Sequence, residues 1–275
     1  MELKNIIKED FKHSFSSVSK FRKNPSEWLV HYGLGLKAPS SPAMTRGSLA
    51  EFGAYYKIKR GMQQKDDKGF DKLIRHRFKK LKYLNAESEI ENAVEIAKKF
   101  EEKLYERQLR DIVSYQHEKV ESIVGLKYPV RLFTDFEYEH IIVDLKSTLR
   151  LPSSPKIDHI RQQALYSVVH RKPIALLYAT PKKSLWYELS EQDIMDGYQE
   201  LINDFKSLEN YISMCKNNLE EAIKITPLNT DPNPFHWDNN IKQESIKIWQ
   251  KINNKDQKKQ MIYLMLYQET FQKKK

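Results

Sequence analysis

The stretch 133–148 reads FTDFEYEHIIVDLKST, and its β-branched and aromatic residues predict two strands joined by a tight turn. If the turn lies at 139–140, Asp135 is directly opposite Asp144, and the two side chains are neighbours across the strands. Lys146 lies two residues beyond Asp144 and therefore faces the same side of the sheet. Two carboxylates and a lysine are thus expected to converge. The register is an assumption at this point, because the turn contains neither glycine nor asparagine.

Such a group of side chains suits phosphodiester hydrolysis. Mg²⁺ prefers hard oxygen ligands and usually takes one or two carboxylates together with water and substrate phosphate. The ion neutralises charge on the phosphate and lowers the pKa of bound water, while a lysine can orient that water, contact the phosphate or, with a depressed pKa, accept a proton. The alternative is an exposed hairpin with a surface ion pair of little energetic value. The Ile-Ile-Val run before Asp144 favours a buried strand, where charges need partners.

The rest of the chain is expected to surround this hairpin with helices and further strands. The order of the segments predicts an α/β fold, with a central mixed β-sheet flanked by helices and helical additions at both ends. The predicted strands are 120–124, 130–136, 141–146, 174–179 and 185–189, and the predicted helices are 17–32, one from about 45, 86–112, 157–170, 192–224 and 241–271.

Composition narrows the class of protein. Of the 275 residues, 40% are hydrophobic and 11% aromatic, which is typical of a chain that folds around a core. A formal charge of +10 favours a polyanionic partner such as nucleic acid. The single cysteine, Cys215, excludes an internal disulfide and a cysteine-ligated zinc or iron–sulfur site within one chain. No long apolar run, signal peptide, GxxxxGK[ST] or GxGxxG motif is present, so a cytoplasmic protein without nucleotide chemistry is expected.

Two basic stretches, 57–60 and 75–80, are interleaved with aromatic residues. A groove for single-stranded nucleic acid combines cations that meet phosphates with rings that stack on bases. A solvated helix face explains the same pattern. The aromatic residues are Tyr55, Tyr56, Phe70 and Phe78.

The predicted helix after the hairpin carries a second polar group. Gln162 and Tyr166 are four residues apart and therefore share one face of the helix. Arg161 lies beside them, where it could meet a phosphate. The alternative is an ordinary amphipathic helix with Tyr166 in the core.

Taken together, these residues resemble the PD-(D/E)XK nuclease superfamily, in its RecB/Cas4-like exonuclease branch. The motifs occur in the family's order along the chain, whereas the C-terminal part carries no such match. The residues of the sheet and of the following helix that match are Asp135, Asp144-Leu-Lys146 and Gln162-x-x-x-Tyr166.

The N-terminal third carries two more motifs of this branch. The segment 14–25, SFSSVSKFRKNP, resembles its opening pattern S-x-S-x-L-x-x-F-x-x-C-P, and 47–51, GSLAE, resembles its G-x-x-x-H motif with Glu51 at the metal-ligating position. Asn24 replaces the cysteine that anchors an iron–sulfur cluster in some relatives, which implies a cluster-free version. Glu51 in place of histidine keeps a hard ligand and should favour Mg²⁺ or Mn²⁺ over softer metals.

The resemblance implies a role for each matching residue of the metal site. Asp135 and Asp144 would hold Mg²⁺, or Mn²⁺ as its substitute. Glu51 would complete the shell directly or through water, and the backbone carbonyl of Leu145 would serve as a further ligand. Lys146 would position the attacking water.

It also implies a set of DNA contacts. Gln162 and Tyr166 would orient the active-site strand and contact the DNA backbone. Arg161 and Ser17 are expected to add contacts to DNA.

The implied protein is a Mg²⁺-dependent DNA exonuclease with a restriction-endonuclease-like fold. It would be a hydrolase acting at single-stranded or duplex DNA ends in recombination, repair or DNA degradation, in a bacterium or encoded by a phage. Besides DNA, a second copy of the chain or a recombination protein is the expected partner, and no membrane is involved. The alternatives are a structure-specific or restriction-like endonuclease on the same fold and a non-catalytic nucleic-acid-binding protein, with RNA as a further candidate substrate.

One nuclease domain is expected to span 1–275. Its catalytic core is predicted at about 45–190, and a helical C-terminal extension at about 191–275. In a phage-encoded protein, the cytoplasm would be that of the bacterial host.

Overall fold

The structure is a computed structural model that describes residues 5–59, 67–80, 88–230 and 238–254. In this part of the chain every helix is too short or too polar to cross a lipid bilayer. The helices are α1 (Phe15–Lys23), α2 (Pro25–Trp28) with a π-helical turn after it (Leu29–Gly33), α3 (Pro42–Lys59), α4 (Asp67–Lys80), α5 (Ser88–Glu106), α6 (Ile157–His170), α7 (Glu191–Met214) and α8 (Leu219–Ile225), and helical residues also cover 239–254. The strands are β1 (Ser114–Glu121), β2 (Val130–Glu137), β3 (Ile142–Ser147), β4 (Ile174–Ala179) and β5 (Ser184–Glu188).

These strands form one mixed sheet in the order β1-β2-β3-β4-β5. The β3–β4 pair is parallel, and the other neighbours are antiparallel. Parallel neighbours need a crossover connection, which α6 supplies. Every residue of β4 is buried, which explains why this strand reads as a continuous apolar run. The predicted fold class, an α/β fold with a central mixed sheet flanked by helices, is confirmed.

The described residues form two compact units. One unit contains the sheet, and the other is helical. The prediction of a single nuclease domain stays a prediction. The unit with the sheet consists of Lys12–Phe15 and Ser40–Phe205, and the helical unit consists of the described residues of Met1–Phe11, Ser16–Pro39 and Lys206–Lys275.

The core of the sheet unit lies between the sheet and the helices α3, α4 and α5. Phe100 of α5, Phe136 of β2 and Leu177 of β4 belong to this core and are fully buried. Gly53 lets α3 and α5 approach closely, because a Cβ atom at this position would lie 2.9 Å from the Cβ of Ala97. The sheet unit therefore buries a continuous apolar layer on this side.

The β2–β3 hairpin has the predicted register. Phe136 pairs with Val143, and the turn lies at 139–140. Continued by one residue, this register places Asp135 opposite Asp144 as the sequence predicts, although the paired residues themselves end at Phe136 and Val143. The predicted strands at 130–136, 141–146, 174–179 and 185–189 and the predicted helix at 157–170 match β2, β3, β4, β5 and α6 to within a residue or two.

The first strand lies six residues earlier than predicted at its N-terminal end, at Ser114–Glu121 rather than 120–124. The prediction relied on the apolar residues of 120–124, but Val124 is almost fully exposed in the loop that follows the strand. The actual strand is polar because it lies at the edge of the sheet, where one face meets solvent.

Helix α5 ends at Glu106, although its apolar spacing predicts a helix as far as 112. Gln108 adopts a left-handed conformation with φ of 60°. The backbone N–H of Leu109 then donates to the carbonyl of Leu104 at 2.9 Å, which is the hydrogen bond of a Schellman C-cap. Glycine usually occupies the left-handed position of such a cap. Because Gln108 occupies it here, the sequence does not show that the helix ends at this point.

Two predicted helices of the helical unit are each divided. The helix predicted at 17–32 is interrupted at Asn24, whose side chain caps α2 by accepting hydrogen bonds from the N–H groups of Ser26 and Glu27. The helix predicted at 192–224 is interrupted where Asn217 is left-handed with φ of 53°. Asn24 therefore has a structural role at the position that holds a cysteine in some members of the resembled family.

The basic-aromatic interpretation of 57–60 and 75–80 is wrong for Lys57 and for the aromatic residues in the core, whereas the basic side chains Arg75, Arg77 and Lys79 are exposed and their contact with nucleic acid stays a prediction. Lys57 pairs with Glu101 at 2.9 Å, and both side chains are largely buried. Most of the aromatic rings pack against other residues of the fold. Arg60 lies outside the described residues. Phe70 and Phe78 are core residues, and Tyr55 stacks on Tyr115 with ring centroids 4.0 Å apart.

Candidate active site

A cavity of about 480 Å³ opens at the edge of the sheet unit, where β2 and β3 separate beside α3 and α6. Its lining combines two carboxylates, the lysines Lys146 and Lys156 and several hydroxyl groups, so it is polar and suited to a charged substrate. The lining residues that matter below are Glu51, Asp135, Leu145, Lys146, His159 and Tyr178.

The side chain of Asp135 accepts a backbone hydrogen bond at the point where the pairing of β2 with β3 ends. The last backbone pair of this ladder before the cavity is Phe136 with Val143. Beyond this pair, the backbone N–H of Leu145 donates to the side-chain Oδ2 of Asp135 at 2.9 Å. This hydrogen bond holds the Asp135 carboxylate beside β3, to which Leu145 belongs, at the lining of the cavity.

Lys146 and Asp144 form a largely buried ion pair. The Nζ of Lys146 lies 2.6 Å from Oδ2 of Asp144, and the two side chains are 20% and 3% exposed. Burial alone would lower the pKa of Lys146, but the carboxylates of Asp144 and Asp135 outweigh burial and raise that pKa. Lys146 is therefore an ammonium ion here. The condition under which it could accept a proton, a depressed pKa, is not met.

Glu51 reaches the cavity because α3 passes very close to β3. A Cβ atom at Gly47 would lie 3.2 Å from the Oγ of Ser147, so a larger residue would push the helix away. Glu51 follows one helical turn after Gly47. Its Oε1 accepts a hydrogen bond from the Nε2 of Gln116 on β1.

The three carboxylates carry more negative charge than the site balances. Burial raises the pKa of Glu51, Asp135 and Asp144 above the ordinary carboxyl value. Repulsion from Asp144 adds to the shift of Glu51, and repulsion from both neighbours adds to that of Asp135. One ammonium, that of Lys146, opposes them. The site therefore has an excess of negative charge that a bound cation would relieve.

Donor chemistry and geometry at this point fit Mg²⁺. In the described part of the chain, no three His, Cys, Asp or Glu side chains are close enough to enclose a metal ion by themselves. Mg²⁺ does not need such a cage, because it usually keeps several waters and takes one or two carboxylates. Oδ2 of Asp144 is buried and lies 2.6 Å from the Lys146 ammonium, with which it forms an ion pair. Glu51 and Asp135 thus offer hard oxygen ligands at the lining of the cavity, and Asp144 adds a buried carboxylate held by Lys146.

Gln162 and Tyr166 connect the lysine to the neighbouring strand. Oε1 of Gln162 accepts a hydrogen bond from Lys146 at 3.2 Å, and its Nε2 donates to the hydroxyl of Tyr166 at 3.2 Å. The hydroxyl of Tyr166 also accepts from the backbone N–H of Phe133 at 3.4 Å. Tyr166 is 5% exposed, so it orients the site from within the fold, and its contact with DNA stays a prediction.

The other two predicted DNA contacts are also occupied within the fold. Arg161 forms ion pairs with Glu200 of α7 and, at 3.9 Å, with Asp158, so its guanidinium is directed along the helices. Ser17 is 1% exposed, and its Oγ accepts a hydrogen bond from the indole N–H of Trp28 at 2.8 Å. Both side chains thus have partners within the fold, and their contacts with DNA stay predictions.

Sequence reasoning missed three residues of the site. Gln116 lies opposite Asp135 in the β1–β2 register, but the misplaced first strand hid this position. His159 lines the cavity, and its Nδ1 is 2.7 Å from the hydroxyl of Tyr178. That hydroxyl also accepts from the backbone N–H of Lys156 at 3.3 Å. The spacing of His159, three residues before Gln162 on the same helix face, was the signal available.

Asp135→Asn is expected to stabilise the metal-free protein at neutral pH. Because the pKa of Asp135 is raised on folding, the folded chain holds this proton more tightly than the unfolded chain. Stability is therefore lost as pH rises from the ordinary carboxyl value near 4 through the raised pKa. Asparagine keeps an oxygen for the N–H of Leu145 and removes the charge. A gain of about 1 kcal/mol would raise Tm by about 2–4 °C.

The measurement is thermal unfolding in EDTA between pH 5 and pH 8. Asp135→Asn should flatten the loss of Tm with rising pH, and added Mg²⁺ should stabilise the parent more than the variant. Asp196→Asn, on an exposed position of α7, is the matched control and should follow the parent. A variant that loses Tm as steeply as the parent would contradict the charge excess.

Comparisons with known proteins add little to this geometry. No protein-family model and no curated protein matches the sequence. A crystal structure of a Eubacterium rectale protein, described provisionally as an exonuclease, is similar over 75% of this chain and 81% of its own, with 14% identity and a TM-score of 0.48. A protein named SSO0001 is similar over 58% of this chain and 86% of its own, with 20% identity and a TM-score of 0.29. Both likenesses are too distant to bear on function.

Proposed function

We propose that the protein is a metal-dependent deoxyribonuclease that hydrolyses phosphodiester bonds at DNA ends. One observation carries the proposal: the carboxylates of Glu51 and Asp135 and the ammonium of Lys146 line one polar cavity, and the buried carboxylate of Asp144 lies 2.6 Å from that ammonium. A structural ion pair needs one carboxylate for one ammonium. A third carboxylate, Glu51, on a separate helix is unfavourable for folding and is explained by a bound cation.

Asp135 and Asp144 would hold Mg²⁺, with Glu51 as a direct or water-mediated ligand and the Leu145 carbonyl beside them. When bound there, Mg²⁺ would neutralise charge on the phosphodiester and make water more acidic. Manganese would substitute for it, because the ligands are hard oxygens.

Lys146 acts as a hydrogen-bond donor in this mechanism. Its pKa is raised in the metal-free protein by the carboxylates of Asp144 and Asp135, so as an ammonium ion it can orient the attacking water or bind a non-bridging phosphate oxygen. Gln162 and Tyr166 hold the ammonium in place through the chain of hydrogen bonds that ends at the backbone of β2. The excess negative charge at the carboxylates is balanced only when a cation is present, which couples metal binding to activity.

Attack at DNA ends, rather than within a strand, is the finer part of the proposal and is supported by the resemblance of the motifs to an exonuclease branch. We place the activity in recombination, repair or DNA degradation in the cytoplasm of a bacterium or of a phage-infected host. A second copy of the chain or a recombination protein is the proposed protein partner.

The test is a time course with Mg²⁺ on end-labelled linear DNA, single- and double-stranded, beside closed circular DNA, with EDTA as the blank. An exonuclease degrades the linear substrates and leaves the circles intact. Nicked or linearised circles would instead support the endonuclease alternative. The absence of cleavage with Mg²⁺ and with Mn²⁺ would contradict the proposal and favour a non-catalytic nucleic-acid-binding protein. An RNA strand of the same sequence shows whether the 2′-hydroxyl is tolerated.

A further inference from the structure

Gln116 has an unusual backbone conformation inside a regular strand. Its φ is 50°, in the left-handed region, although its neighbours Tyr115 and His117 pair with Phe136 and Thr134 across the β1–β2 ladder without any change of register. Left-handed residues other than glycine are uncommon, and glutamine lacks the short polar side chain that makes asparagine and aspartate more tolerant. Strained backbone of this kind occurs preferentially at functional sites, where the surrounding structure maintains it.

The strain has an identifiable result at the cavity. Successive residues of a regular strand point to opposite faces of the sheet. Here, however, Tyr115 stacks on Tyr55 of α3, and the next residue, Gln116, hydrogen-bonds to Glu51 of the same helix. The left-handed backbone at Gln116 thus lets two successive side chains of β1 reach α3, the second of them as a donor to the Glu51 carboxylate.

Glu51 needs such a donor, because it has the longest side chain of the three carboxylates of the site. Asp135 and Asp144 are short and are fixed on paired strands, Asp135 by the N–H of Leu145 and Asp144 by the Lys146 ammonium. A glutamate on a helix can adopt many rotamers. Residues that hold a metal-ligating side chain in one orientation strongly influence metal affinity, and mutating them typically lowers it by about 10- to 100-fold.

We propose that Gln116 is a positioning residue that fixes the carboxylate of Glu51 toward the divalent cation of the site. This inference rests on the proposed function. Gln116 itself does not touch the reacting atoms. It acts through Glu51, and its left-handed backbone is retained because a regular strand residue would direct the amide away from this carboxylate.

Gln116→Gly separates the positioning role from folding. Glycine is at ease in the left-handed region, so the variant should keep the Tm of the parent or exceed it. It also loses the amide, so Mn²⁺ affinity without DNA, measured by isothermal titration calorimetry, should fall by about 10-fold. The Mg²⁺ concentration for half-maximal DNA cleavage should rise by a similar factor.

Gln108→Gly is the matched control. Gln108 is also a glutamine in the left-handed region, with φ of 60°, but it caps the end of α5 away from the lining of the cavity. Its glycine variant should gain Tm like Gln116→Gly and keep the Mn²⁺ affinity of the parent. Gln116→Asn, which tolerates the left-handed backbone but is one methylene shorter, should bind Mn²⁺ as weakly as Gln116→Gly.

The outcomes distinguish this inference from the proposed function. If the parent binds Mn²⁺ and cleaves DNA but Gln116→Gly and Gln116→Asn do both equally well, Gln116 has no positioning role. If the parent neither binds Mn²⁺ nor cleaves DNA, the proposed function fails and the inference fails with it. Weaker Mn²⁺ binding in both variants, with Tm preserved, supports the inference.

Discussion

Asp144→Asn is expected to lower the rate of DNA cleavage by about 1,000-fold or more. The substitution keeps the size of the side chain but removes a charge that a Mg²⁺ ligand must carry, at the buried centre of the site. DNA binding should change by less than about 3-fold, because contacts to phosphates elsewhere provide most of the affinity for nucleic acid.

The measurement pairs initial cleavage rates in Mg²⁺ with DNA binding in EDTA at one fixed salt concentration. Asp196→Asn removes an exposed carboxylate from α7 and should cleave like the parent. If Asp144→Asn cleaves DNA as fast as the parent, the assignment of the metal site to this hairpin is wrong.

Lys146→Met is expected to abolish cleavage and also to destabilise the fold by about 2–3 kcal/mol. Methionine has a similar length but no charge, so the buried carboxylate of Asp144 loses its ion pair, and Asp135 loses the nearby positive charge. Oε1 of Gln162 loses its donor as well. Urea unfolding at pH 7 in EDTA measures the loss, and the end-labelled DNA assay measures the activity.

A double variant provides the control for this prediction. Lys146→Met with Asp144→Asn should recover part of the lost stability, since the uncompensated buried charge is gone, but should remain inactive. Cleavage by Lys146→Met at the rate of the parent would favour a nucleic-acid-binding protein in which the ion pair is merely structural.

The expected stability effects at the site have opposite signs. Asp135→Asn removes one of several mutually repelling carboxylates and stabilises the metal-free chain, whereas Lys146→Met removes their counter-charge and destabilises it. Both variants should lose activity. On the proposed function, the site would keep an arrangement that is unfavourable for folding and useful for catalysis, which is a common relation between stability and function.

The hairpin was predictable because its information is local. A short connection and an Ile-Ile-Val run fix the register of β2 on β3, and the register alone places Asp135 opposite Asp144. β1 was misplaced because an edge strand lacks a continuous apolar run. The end of α5 was missed because Gln108 occupies a left-handed position that glycine usually marks.

The residues of the site that belong to sequence motifs were predictable, whereas their partners were not. Gln162 was found by its spacing from Tyr166, and the structure gives both residues partners at the site. The partners of Arg161 and Ser17 were not predictable, because they come from other helices: Glu200 pairs with Arg161, and the indole N–H of Trp28 donates to Ser17. Sequence spacing cannot show that a polar side chain is already engaged.

The crossover through α6 has a consequence for the biosynthesis of this protein. Glu51, Asp135, Asp144 and Lys146 all precede α6 in the chain, but the partner of the lysine, Gln162, lies on that helix. Burial of β3 further requires the parallel strand β4, which is translated later still. A nascent chain that ends before β4 thus carries every charged group of the site without the fold that assembles them. On the proposed function, the nuclease stays inactive on the ribosome until its sheet is complete.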